Sequence, residues 1–86
     1  MKLEGRLFTA NLLTREVTIE RPATAEPWVK QLEKVLIDVC HNLEAPIPLW
    51  LQKNTHEFAS FHQTIFFAEQ FTENVRFDRM QIRWLG

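Results

Sequence analysis

A chain of 86 residues, 45% of them hydrophobic, with ten basic and eleven acidic side chains and a net charge of −1, has room for one domain spanning 1–86. It lacks the cationic excess that attracts phosphate backbones, which disfavours a nucleic-acid partner. Its single cysteine, Cys40, excludes an intramolecular disulfide, and no run approaches the ~20 apolar residues of a membrane-spanning helix, so no membrane association is expected.

Glu4 and Arg6 interrupt any apolar run near Met1, so a signal peptide is not expected and the cytoplasm is the expected location. Residues 2–10 read as a first strand, with Leu3 and Leu7 on one side and Lys2, Glu4, Arg6 and Phe8 on the other. Residues 13–20 alternate more cleanly, with Leu13, Val17 and Ile19 inward and Thr14, Glu16, Thr18 and Glu20 outward. The inward residues of both strands are odd-numbered, so facing partners have an even sum. That parity predicts a hairpin with an odd-length loop, most simply three residues around Asn11, the residue there best suited to a left-handed conformation.

Residues 24–44 are predicted to form a helix. Thr24 is the candidate N-cap, and Pro27 is tolerated in the first turn. Trp28, Leu32, Val35, Leu36, Val39 and Leu43 form its apolar stripe, and Ile37 lies on the polar side. Ala45-Pro46-Ile47-Pro48 ends it. Asn54 and Glu57 have capping-box spacing, and Phe58, Phe61, His62 and Ile65 continue at helical spacing, so a second helix is expected over 55–65. Residues 66–71 read as a tight connection. Residues 75–85 read as the last strand, with a bulge near Asp78–Arg79 to reconcile odd Val75 and Phe77 with even Met80, Ile82 and Trp84. The expected fold is α+β: a three-stranded, mainly antiparallel sheet in the order β-β-α-α-β, with two helices on one face. The last strand pairs with either the first or the second.

The catalytic inventory is thin. Ser60 and His62 stand two apart and point to different sides of a helix. His56 and His62 are six apart, about 240° around a helix, so they cannot share one zinc ion as H-E-x-x-H histidines do. No glycine lies between Gly5 and Gly86, which excludes a P-loop and a dinucleotide fingerprint; no cofactor or metal is expected. His62 and Cys40 are the candidate titratable residues. The ordinary role of each is a core one, and burial of His62 on the phenylalanine stripe would disfavour its charged form. If the helices pack together, the two could form a thiolate–imidazolium pair.

The expected function is a small non-enzymatic interaction module acting through self-association, as a two-fold dimer, or through a protein partner. Its candidate interface residues are Ile37, Trp50 and Phe8, apolar where solvent is expected, with Trp50 held after a stiff Pro-x-Pro. Trp50 is otherwise a plug at the end of the core. The alternative is a nucleic-acid-associated regulator using Arg79, Arg83, Arg6 and Phe8 on the outer sheet face, against which cross-strand ion pairing with Glu4, Glu16 and Glu20 is the simpler reading. A small-molecule pocket between helices and sheet is a third reading.

Overall fold

A computed structural model describes residues 1–86. The chain forms β1 (Lys2–Thr9), β2 (Leu12–Glu20), α1 (Trp28–Asn42), α2 (Gln52–Phe61), β3 (Gln63–Phe67), a 3₁₀ turn at Ala68–Gln70 and β4 (Arg79–Trp84). The sheet is antiparallel and four-stranded, in the order β2-β1-β4-β3, which corrects the expectation of three strands.

The missing strand, β3, lies where helical spacing suggested that the second helix continues. His62 adopts a left-handed conformation (φ 58°) and terminates α2. The next five residues, rich in β-branched and aromatic side chains, turn Thr64 and Phe66 inward and pair with β4. A strand this short carries too few alternations to outweigh the apolar spacing of Phe58, Phe61 and Ile65 that runs into it.

The hairpin parity holds by a different route. From Lys2↔Glu20 to Leu7↔Arg15 the partners sum evenly, but the loop is two residues, Ala10 and Asn11, both at positive φ. The register shifts after Leu7, where Thr14 is the extra residue and donates its Oγ1 hydrogen to the Leu7 carbonyl at 3.2 Å. Beyond that bulge the phase of β2 flips, so Leu13 faces Phe8 on the outer side and is exposed rather than inward. No bulge is needed in β4. The phase slip there reflects residues 75–78, which precede the strand.

β1 is the central strand joining the hairpin to β4. Leu3, Leu7, Met80, Ile82 and Phe66 form the sheet's contribution to the core, beneath Leu32, Val35, Leu36, Val39 and Leu43 of α1 and the turn after it. Val17 and Ile19, on the edge strand, are only half-buried. Gly5 permits the close approach of α1: a Cβ there would collide with Val39 Cγ1 and sit 3.1 Å from Leu43 Cδ1.

α1 starts later than expected. Pro27 occupies its N-cap position, and the Thr24 hydroxyl instead accepts from the Glu26 N–H in the preceding turn. At its other end Arg15 donates to the Leu43 carbonyl at 3.2 Å, a cation where the helix dipole favours one. α2 likewise begins before Asn54, which is its third residue rather than its cap. Asn54 Oδ1 accepts from the Leu51 N–H at 2.9 Å, and Asn54 Nδ2 donates to Thr64 Oγ1 at 2.8 Å and to the Ile65 carbonyl at 3.1 Å. Gln70 Nε2 donates to Asn54 Oδ1 at 3.1 Å and to the Leu49 carbonyl at 3.2 Å, so one buried polar cluster ties α2, β3 and both flanking loops together.

Candidate functional site

α1 lies over β1 and β2, while α2 lies beside β3. Between the helices, above the end of β4, is an open groove of about 700 Å³. All three tryptophans of the chain line it, each brought by a different element. Trp28 opens α1 directly after Pro27. Trp50 follows the stiff Pro46-Ile47-Pro48 segment, and Trp84 ends β4 on the inward side. The rings form one cluster: Trp28 stands 6.0 Å from Phe58 and 6.1 Å, edge to face, from Trp84, and Trp50 packs 5.8 Å from Phe58 and 5.6 Å from Phe66. Such tilted and perpendicular contacts suit aromatic quadrupoles.

The cluster is not sealed. Trp28 is 45% exposed and Val29 68%, and Ile47 across the groove is 53% exposed. Trp28, expected in the buried stripe, sits at the helix start where no later element covers it. The polar lining is sparse: Glu33, Thr55 and His62. Thr55 Oγ1 is occupied by the Trp50 indole N–H at 2.7 Å. The Trp84 Nε1 hydrogen is buried without a hydrogen-bond partner.

The expected site residues do not share one surface. Trp50 is half-buried and both plugs the core and lines the groove. Ile37 is exposed on α1 immediately beyond the groove-lining Leu36. Phe8 is on the opposite face of the sheet. His62 is exposed at the groove as the C-cap of α2, its ring 5.1 Å from Trp84, so the premise of a desolvated histidine does not hold. Cys40 is enclosed in the core, where burial alone pushes its thiol up to about 11. A thiol held protonated by desolvation, with no imidazolium acting on it, is not an activated nucleophile.

On the outer sheet face Arg79 and Arg6 are already engaged. Arg79 stacks 4.4 Å above Phe8 and donates to Asn11 Oδ1 at 3.3 Å. Arg6 Nε lies 3.2 Å from Glu4 and 3.3 Å from Glu16, within ion-pair distance although neither oxygen lies along its N–H. Arg83 is exposed directly opposite Glu4. Lys53 covers Phe67 at 4.6 Å. These contacts favour a self-paired surface over a stacking platform for bases.

Elsewhere, Arg21 pairs with Asp38 and holds that carboxyl below its usual range, while Lys34, 2.8 Å from Glu26, does the same for Glu26. Both pairs fasten the β2–α1 connection. No cluster of three or more His, Cys, Asp or Glu side chains could hold a metal ion, and no helix is long and apolar enough to cross a membrane. Comparison with protein-family models, with curated proteins and with solved structures gives no match.

Sequence reasoning singled out Trp50 and missed Trp28 and Trp84 as groove residues, because periodicity assigns both to the core. The available signal was position: both stand at the end of an element, where covering neighbours run out.

Proposed function

We propose that this protein is a non-enzymatic interaction module that docks an apolar segment of a protein in the groove between α1 and α2. The observation that carries the reading is the convergence of all three tryptophans on one open groove. Tryptophan concentrates at binding hot spots because it offers large apolar area at small entropic cost, and contiguous exposed apolar surface marks interaction sites. Its polar lining is limited to Glu33, Thr55 and His62, and the one thiol, Cys40, is in the core.

A second copy of the chain is one candidate for the docked protein. β2, a nine-residue edge strand with one side unpaired and no proline within it, offers a second copy a separate surface that would leave the groove open. Selection from a displayed peptide library tests the groove. The wild-type protein should enrich apolar sequences, and Val29→Glu and Ile47→Glu should each abolish the enrichment. No enrichment, or enrichment indifferent to both variants, overturns the reading. Light scattering at ~100 μM, well above a micromolar dissociation constant, separates the two kinds of partner: a dimer that Val29→Glu converts to monomer marks a second copy in the groove, while a monomer, or a dimer unmoved by that change, leaves the groove to another protein.

A further inference from the structure

The lining of the groove has a sign. Its ionisable side chains are Glu33 and His62, and no lysine or arginine lines it. A carboxylate brought in on a partner would lose water against tryptophan and leucine, find no lysine or arginine in the lining to pair with, and face Glu33. A lysine or arginine would meet the opposite situation. It would gain the Glu33 carboxylate and the electron-rich face of any indole it lies over, interactions that strengthen as water is excluded.

Glu33 is accessible for that role. Its one ion-pair contact is Lys30 Nζ at 3.8 Å, and both side chains are more than half exposed. A pair so loose and solvated contributes little and is readily displaced. The groove-lining residues of α1 run from Trp28 to Leu36, roughly 12 Å of helix, so Glu33 sits within the docking surface, with apolar side chains before and after it.

We infer that the groove selects an apolar partner segment carrying a lysine or arginine, with the cation set beside Glu33 and among the tryptophans, and that it rejects acidic segments. This rests on the groove being the docking surface, and the experiment separates the two claims. Three amphipathic peptides without tryptophan, identical in their apolar positions and bearing Lys, Gln or Glu at the polar ones, are titrated against the protein, with its own tryptophan emission as the readout. The Lys peptide should bind ~10-fold or more tighter than the Glu peptide. Glu33→Lys should reverse that order, while Glu73→Gln, a charge change outside the groove, should leave it intact.

Equal binding of the Lys and Glu peptides, or a ratio unmoved by Glu33→Lys, overturns the charge inference while leaving the docking surface standing. Absence of binding by all three at ~1 mM overturns both. A wild-type dimer that Val29→Glu converts to monomer also overturns the inference, because the occupant is then a second copy of this chain.

Discussion

Two sides of α2 are built by opposite rules. Toward β3, Asn54, Thr64 and Gln70 form a buried cluster in which the Asn54 amide serves Leu51, Thr64, Ile65 and Gln70 at once, and Thr64 Oγ1 donates to the half-buried Glu57 at 2.6 Å. Toward α1, Phe58, Ala59 and His62 face a groove whose tryptophans are left partly in water. A polar group out of water is costly unless bonded, so the first side tolerates almost no change. Apolar surface in water is unfavourable only in proportion to its area, so the second side can stay open until something covers it. Where polarity is closed and apolarity is open, the first serves the fold and the second is free for binding.

The sharpest way to break this contrast is Asn54→Ala. It removes the acceptor of the Leu51 N–H and of one Gln70 amide hydrogen, together with the donor to Thr64 and Ile65, and should cost about 2–3 kcal/mol in urea unfolding. A loss below about 1 kcal/mol would mean that water replaces the amide and the cluster is not closed.

Gly5→Ala probes the apolar interior under α1. Val39, which the new methyl would strike, is β-branched and held stiffly on its helix, so the backbones must part. An overpacking cost of about 1–3 kcal/mol is expected, with near-ultraviolet dichroism reporting any disturbance of the tryptophans. The smallest effect is expected in the groove itself. Val29→Ser removes exposed apolar surface and should change stability by no more than about 0.5 kcal/mol. A larger loss would show that Val29 supports the fold, which would weaken its standing as docking surface.

Much of the architecture was legible because it depends on periods within single elements. The alternation set the inward face of β1, that of β2 from Val17 onward but not at Leu13, and the parity of their pairing, and the apolar stripe of α1 identified Leu32, Val35, Leu36, Val39 and Leu43 as core. Legibility failed at junctions. The end of α2 and the start of β3 share the phenylalanine-rich residues 58–67, and a left-handed histidine divides them, which local spacing does not register. Thr14 preserved the parity argument and falsified the loop it implied, since an extra residue in a strand counts like one in a turn.

What the amino-acid sequence determined by itself was therefore the period and polarity of each long element and the inward face of β1 and α1, together with the absence of glycine-rich phosphate loops. These are properties of neighbours along the chain. Tertiary structure alone decided that the last strand pairs with β1, that Asn54 meets Thr64 and Gln70, and that Trp28, Trp50 and Trp84 surround one groove. Each of these depends on the distance between rigid elements remote in sequence. In each case packing, rather than local preference, determines which side chains are covered and which remain in water.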